Sequence, residues 1–585
     1  MNSVGNWSLQ MPGFNLPLNF PPQQNVFGSG ISGFPNALDP KHLEYGSLDA
    51  LVTHREIIMM QIMNIITDKP EWSCKVFDEH ITAKWREEVA RSGQDATPKM
   101  MDWIIKELQW KAGILEKTGF VEVFHSGVIK SDTAVSKELQ EALKEAVVPF
   151  ENVPDDQRDY HPGSDEKVVD LVHPSLFPVI YGRTHVLPDR VIGLDDCLDS
   201  MGEGQWLRSP KEDALPPHTS SYRREPHPAV LSTKFQWLPC EVELTKDGDC
   251  RILSYINNAH PVHHRALYEV VEKILAQTVP LWEKSVGKRP GWYERIEFTG
   301  VEYEEDGVPM PEYPEEDIDE DPDKYEARLE EWYASRKVKL PEPGEFKVPE
   351  PLHGEFTFLE HFPESNLQVI VKLANIVLTP DKPDYEGGTW HIEGQLNERI
   401  AASAIYYYDS ENITPSSLAF RQRAMDDFYG LQYEQDRHEF LQQVYGFPDT
   451  LDNWSDGLIT QDLGSVASKE GRLITFPNTL QHRVSPFSLA DASKPGHRKI
   501  LALFLVDPHT RIISSANVPP QREDWLPTTQ NLSPDAPREL KRDGVPPISL
   551  EEAKAYRVEL MKERGLRAEE QNTAYQEGSF SLCEH

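Results

Sequence analysis

Apolar residues recur along the chain with two different periods, and the change of period divides it. In "SLDALVTHREIIMMQIMNIITD", Leu51, Ile58, Ile62 and Ile65 return at three- and four-residue steps, the spacing of one helix face. In "TPKMMDWIIKELQWKAGILEKTG", Met100, Ile104, Leu108 and Leu115 share a face, Thr97 is placed to cap the helix, Pro98 sits in its first turn and Gly119 marks its end. Residues 47–150 therefore predict a helical packing layer. Over 229–257, "AVLSTKFQWLPCEVEL" and "CRILSYIN" flank "TKDGD", an Asp-Gly hairpin signal. "HHRALYEVVEKILAQTV" then predicts a helix with Leu267, Val270, Val271, Ile274 and Leu275 inward.

From 365 to about 515 the period shortens to that of strands: "LQVIVKLANIVL", "TWHIEG", "RIAASAIYYYD", "SLAFRQ", "RLITFP", "QHRVSPF" and "RKILALFLVD", interrupted by a charged helical piece at 424–445. Many short strands with turn signals predict a sandwich or barrel rather than βαβ units. A last helix begins at a Ser549-x-x-Glu552 capping box and stops at Gly565, leaving a polar, loose tail over 566–585. The expected division is an extended arm (1–40), a helical region (41–165), a β-rich domain (166–540) with an acidic, Pro-rich surface insertion (302–350), and a C-terminal helix and tail (541–585).

Charge and composition narrow the classes. With 585 residues and a formal net charge of −37, the chain would repel a polyanion, and its densest basic run, "ASRKVKL", is short, so nucleic acid is not the expected partner. Five scattered cysteines without CxxC speak against a disulfide framework or thiolate zinc site. The N-terminus lacks a secretory pattern and no stretch of about 18 apolar residues occurs. The expectation is a soluble cytoplasmic protein, with a nuclear location also open.

Candidate chemistry concentrates in "GGTWHIEGQLNERIAASAIYYYD". Along a strand, residues two apart point to one face, so His391 and Glu393 project side by side. A later strand offers His482 as a third ligand. Two imidazoles and one carboxylate make the facial triad of non-haem Fe(II) sites. A satisfied strand histidine is the commoner explanation of an isolated H-x-E pair. Arg498 tips the balance, because a guanidinium opening an apolar strand is costly unless it meets a carboxylate. Ala401, Ser403, Ile405 and Tyr407 alternate onto one face, where the Tyr407 hydroxyl can join Arg498 on that carboxylate.

The set "GG-x-W-H-x-E … A-I-Y-Y-Y … L-I-T-F-P … H-R-V-x-P … G-x-R-x-x-L-x-L-F" resembles the 2-oxoglutarate- and Fe(II)-dependent oxygenases, in the pattern of their prolyl-hydroxylase branch, over roughly 150 of the 585 residues. From about 45 to 535 the chain also resembles a fungal family of long proteins of unknown function. The resemblance implies an α+β fold with a double-stranded β-helix (jelly-roll, cupin-like) core, an N-terminal helical layer and additional helices. It implies His391, Glu393 and His482 as iron ligands, and Arg498 with Tyr407 at the distal carboxylate of 2-oxoglutarate. Fe(II), 2-oxoglutarate and O₂ would then serve hydroxylation or desaturation of a small molecule, releasing succinate and CO₂. Glu393 stands where that family more often has Asp. The rival readings are a jelly-roll binding or scaffold protein without catalysis, a protein side-chain hydroxylase, and a zinc hydrolase. The sequence leaves the oligomeric state open.

Lesser candidates are Lys372 and Asn375, on opposite faces of the preceding strand and within reach of a co-substrate. Gly387 and Gly388 suit a close backbone approach, and Asn397 is a candidate to face substrate. His260, His263 and His264 form a cluster without a carboxylate at ligand spacing. Trp237, Glu241 and Tyr255 are candidates to wall the site, and His438 and His497 are expected at the surface.

Overall fold

The computed structural model describes residues 33–39, 42–43, 51–188, 190–208, 231–287, 294–304, 309–312, 322–349, 356–363, 365–424, 428, 430–448, 451, 457–526, 546–580 and 582. It is a mixed α+β architecture whose ladders are antiparallel. The arm enters the description at residue 33, with Phe34 and Leu38 buried. Helix α1 (His54–Thr67) starts where the Thr53 hydroxyl accepts from the Glu56 N–H. Helix α2 (Glu79–Arg91) is capped by Asp78, and α3 (Pro98–Thr118) runs from the Thr97 cap to Gly119 at φ +74°. Ile58, Ile62, Met100, Ile104 and Leu108 are buried as their spacing predicts, whereas Ile65 is 58% exposed.

The helical stretch then gives way to a hairpin that the apolar pattern does not reveal, β1 (Val121–Phe124) and β2 (Val128–Ser131), before α4 (Lys137–Glu151). Strand β3 (Val168–Val172) precedes the Asp-Gly hairpin, formed by β4 (Cys240–Leu244) and β5 (Cys250–Ile252), and α5 (Arg265–Val286). The insertion contributes α6 (Pro322–Ser335). The β-rich part comprises β6 (Leu367–Leu378), β7 (Ile400–Glu411), β8 (Ser417–Arg423), β9 (Thr460–Ala467), β10 (Leu473–Pro477), β11 (Gln481–Val484) and β12 (Gly496–Val506). The charged helical piece between β8 and β9 is short, α7 (Glu439–Tyr445). Helix α8 (Leu550–Gln576) runs straight through Gly565, so most of the predicted loose tail is helical; Phe580 and Leu582 beyond it are buried.

The larger sheet has nine strands in the order β1-β2-β10-β7-β12-β6-β4-β5, with β3 also paired to β6. The smaller has the order β9-β8-β11 and is extended by an isolated bridge between His391 and His482. From Leu367 onward the chain passes alternately between the two: β6 in the larger sheet, the His391 segment in the smaller, β7 back in the larger, β8 and β9 in the smaller, β10 larger, β11 smaller, β12 larger.

Both faces of β12 are buried, which explains its unbroken apolar run "ILALFLV". Leu501, Leu503 and Leu505 meet the α4 and α5 side, with Leu143, Val271, Ile274 and Trp282. Ala502 and Phe504 face the space between the sheets, with Ile370, Ile405, Tyr407, Phe420 and Phe476. The expected face of β7 is correct except at its start. A register shift between Ile400 and Ala402 turns Ala401 to the helix side, and Ile400 takes its place beside Ile405 and Tyr407. Helix α1 covers the edge strand β9, donating from Gln61 and Asn64 to the Leu463 and Ser465 carbonyls. Among the described residues no helix is long and apolar enough to cross a membrane.

Candidate metal centre

The H-x-E segment is less regular than its alternation suggests. Its ladder contact is one reciprocal pair, the His391 N–H donating to the His482 carbonyl at 3.2 Å and the His482 N–H to the His391 carbonyl at 3.1 Å, with a further bond from the Gly388 N–H to the Val484 carbonyl at 3.0 Å. The glycines make this approach feasible. Gly387 has φ +89°, and a Cβ there would lie 2.7 Å from the Val484 carbonyl oxygen. After Glu393 the chain turns away at Gly394, φ +74°.

With so little ladder, the segment is held by side chains. Asn478 is fully buried; its Oδ1 accepts from the Glu393 N–H at 3.2 Å and its Nδ2 donates to the Glu393 carbonyl at 3.1 Å, as a neighbouring strand would. From α8, Asn572 Nδ2 donates to the Trp390 carbonyl at 2.9 Å, and the Tyr575 hydroxyl donates to the Thr479 backbone carbonyl at 2.9 Å. From the arm, the Ala37 N–H donates to the Asn478 carbonyl at 3.1 Å.

These contacts bring His391, Glu393 and His482 together, with one ligand atom from each within 4.8 Å of the others. His482 pairs in register with Phe420, so its ring enters the space between the sheets and lies 4.6 Å from that of Phe476. Its Nε2 is 3.2 Å from Glu393 Oε1, and His391 Nε2 is 3.7 Å from the same oxygen. His391 Nδ1 lies 2.8 Å from the Thr389 carbonyl, to which it can only donate, so in the neutral ring Nε2 carries the lone pair and faces the carboxylate. Burial alone would raise the Glu393 carboxyl; the two imidazoles outweigh it and hold Glu393 well below the usual range. Burial lowers His391, but the Glu393 hydrogen bond and charge leave it raised overall. His482 is lowered by burial and by the charge of His391. A carboxylate facing two imidazole nitrogens fits one cation, either a proton or a metal ion.

Arg498 opens β12 and is 2% exposed. Its Nη1 donates to Ser416 Oγ at 3.1 Å, its Nε is buried without a partner, and among the described residues it has no carboxylate. The Phe487 ring lies 4.7 Å from its guanidinium carbon and that of Tyr407 5.5 Å. Burial lowers the guanidinium's hold on its proton, with Tyr407 and Tyr385 opposing. A buried cation with a single hydroxyl partner suits an incoming carboxylate.

A second group, His161, Asp170 and His173, meets the same distance criterion but fits a metal less well. His173 Nδ1 accepts from the Ser175 N–H at 3.1 Å, which leaves the ring proton on Nε2 and that atom without a lone pair. Asp170 already has His161 Nδ1 at 2.9 Å and Arg557 at 3.6 Å, and Arg557 also binds Asp159 through both nitrogens. This group is a buried ion-pair network.

Two family models match the chain, "Protein of unknown function (DUF4246)" over residues 98–529 and "Domain of unknown function DUF4246, N-terminal" over 11–88. The chain belongs to the DUF4246 family. No curated protein matches this DUF4246 chain. Among solved structures, it is similar in part to the Fe(II)/(alpha)ketoglutarate-dependent dioxygenase TqaL, with 18% identity over 28% of this chain and 51% of that one, at a TM-score of 0.16. It is likewise similar to IDO from Bacillus thuringiensis (10%, covering 26% and 57%, TM-score 0.14) and to a bsmA homolog from Methylobium petroleophilum PM1 (11%, 28% and 57%, TM-score 0.15). The chain thus spans about half the length of these chains.

The lesser candidates separate clearly. Asn375 faces the helix side, donating to Glu151 at 2.6 Å, while Lys372 faces inward. Asn397 does not face a site: it is fully buried and bonds the backbone of Ser232. His260 and His264 spend their Nδ1 atoms on backbone N–H groups of their own turn. Trp237 stacks under Arg564 at 3.9 Å, Glu241 pairs with Arg511, and Tyr255 donates to Val518. His497 is half-buried against Asp409, and His438 lies beside Tyr433 at the start of α7. Sequence reading passes over Asn478, Ser416, Tyr385, Asn572 and Tyr575. Asn478 carries a weak signal in "FPNTLQH", where it reads only as a turn residue; the others have none.

Proposed function

We propose that this protein is a non-haem Fe(II)- and 2-oxoglutarate-dependent oxygenase that hydroxylates or desaturates a small molecule, releasing succinate and CO₂. The observation that carries this reading is the pairing of two unsatisfied features. Two histidines and a glutamate converge on room for one cation, and a buried arginine with no carboxylate partner among the described residues also faces the interior. The alternation of successive strands between two facing sheets supports a double-stranded β-helix as the core.

In this reading His391, Glu393 and His482 hold the iron, which when bound supplies O₂ activation and leaves coordination positions open to other ligands. The chain's own residues do the rest. The Thr389 carbonyl fixes the His391 tautomer. Asn478 fixes the Glu393 backbone. Arg498, with Ser416 and the Tyr407 ring beside it, anchors the distal carboxylate of the co-substrate. Phe420, Phe476 and Phe504 keep water from the inner face.

Anaerobic loading with Fe(II), followed by metal analysis and succinate assay with a metabolite pool, tests the reading. One metal per chain is expected, together with 2-oxoglutarate-dependent succinate release. H391A, E393A and H482A should each lose metal affinity by at least about tenfold. Tight zinc binding with no response to 2-oxoglutarate would overturn it in favour of a hydrolase.

A further inference from the structure

Lys372 is a half-buried cation. It stands on β6 directly across from Ala502 of β12, on the face that carries Ile370 toward Phe504. Among the described residues its ammonium group makes no hydrogen bond or ion pair, and it remains partly exposed. The same inner face meets Phe476, whose ring lies 4.6 Å from that of His482, so the partly exposed Lys372 stands at the rim of the space that holds the metal centre. The rim is open to solvent, since the His391 side chain is 39% exposed and that of Glu393 15%.

The surroundings of Lys372 supply shape and polarity. Ala502 opposite it and Ala374 beyond it leave room. One register step away, Ile370 pairs with Phe504, whose ring lies 5.9 Å from that of Trp237. The Trp237 indole N–H is taken by Ser175 Oγ at 2.9 Å, and the Arg564 guanidinium over its ring is held by Glu398, so this wall offers no free donor. Arg498 pairs with Ile376, four residues along β6 from Lys372, or about 13 Å of strand, so the two cations mark separate positions on the inner face.

We infer that Lys372 anchors the carboxylate of the substrate, and that the substrate is a small carboxylic acid with an apolar body. This rests on the oxygenase reading above and adds the substrate class to it. In a chain of net charge −37, an unpaired ammonium beside an apolar wall selects an acid over its neutral analogue by a charge-assisted bond.

The test uses the full-length protein loaded anaerobically with Co(II), whose visible spectrum reports its ligand field. The first arm adds 2-oxoglutarate; a spectral change that R498M abolishes is expected. The second arm titrates benzoate against benzamide, probes with the same body and different charge. Benzoate should perturb the spectrum saturably and benzamide at least about tenfold more weakly. K372M should lose about tenfold in benzoate affinity, keep its 2-oxoglutarate affinity within about twofold, and be largely rescued by K372R. In the metal-free protein, benzoate but not benzamide should protect Lys372 from amine-reactive labelling, read by peptide mass spectrometry.

Equal response to the two probes, an unchanged K372M, or no protection of Lys372 overturns the inference while leaving the oxygenase reading intact. Loss of 2-oxoglutarate rather than benzoate affinity in K372M assigns Lys372 to the co-substrate and also overturns it. Failure of Co(II) or 2-oxoglutarate to bind at all removes the oxygenase reading, and the substrate class with it.

Discussion

Replacing Arg498 by Met should make the ligand-free protein more stable and abolish co-substrate binding. The guanidinium is 2% exposed, has one hydrogen bond and has no carboxylate among the described residues. Holding an unpaired ion in such a place costs several kcal/mol even after relaxation. Against this stand one charge-assisted hydrogen bond to Ser416, about 1.5–3 kcal/mol, and the faces of Phe487 and Tyr407, about 0.5–1 kcal/mol each. Met fills a similar volume without charge, so R498M should gain about 1–3 kcal/mol. Denaturant unfolding of metal-free protein should show a higher midpoint with an unchanged slope. Adding metal and 2-oxoglutarate at about a hundredfold over the dissociation constant should stabilise wild type by about 2.7 kcal/mol, and R498M by much less. If R498M is destabilised by about 1 kcal/mol, the arginine is a structural residue and the anion-site reading falls.

Asn478→Ala removes both hydrogen bonds to the Glu393 peptide and leaves buried groups unpaired, for an expected loss of about 2–4 kcal/mol. Co(II) affinity should fall alongside; intact affinity in a destabilised variant would show that Asn478 does not position Glu393. A pH profile tests Glu56, which burial raises to about 7 against the opposing charge of Arg295. Because its folded pKa lies above its unfolded one, its contribution is complete below pH 4.5 or so and is lost as pH rises through about 7, a swing of about 3 kcal/mol. E56Q, which can still accept the Arg295 N–H, should lack this loss in urea titrations between pH 4 and 8 or so; parallel profiles would refute it. Asn572→Ala should weaken metal binding several-fold through the Trp390 carbonyl, measured by competition with a chelator; no change would free α8 of any role at the centre.

Local pattern settled much of this protein. The 3.6-residue period and the caps at Thr97, Gly119 and Ser549 are backbone requirements met by residues a few positions apart, and so were the Asp-Gly hairpin and the doubly buried run of β12. The residue types at 391, 393, 482 and 498 also declared themselves, because imidazoles, a carboxylate and a guanidinium in apolar strands are costly without a purpose. Other features needed the assembled molecule. The shift that turns Ala401 outward is set by the fit of β7 to β12, and α8 continues through Gly565 because Arg557, Leu560 and Tyr575 find buried partners on other elements. That Asn478 replaces a missing strand, and that Arg498 and Lys372 make no ion pair among the described residues, depend on atoms far apart in the chain. Hydrogen bonding and charge compensation act through space, so a one-dimensional pattern can name the groups but not who satisfies them.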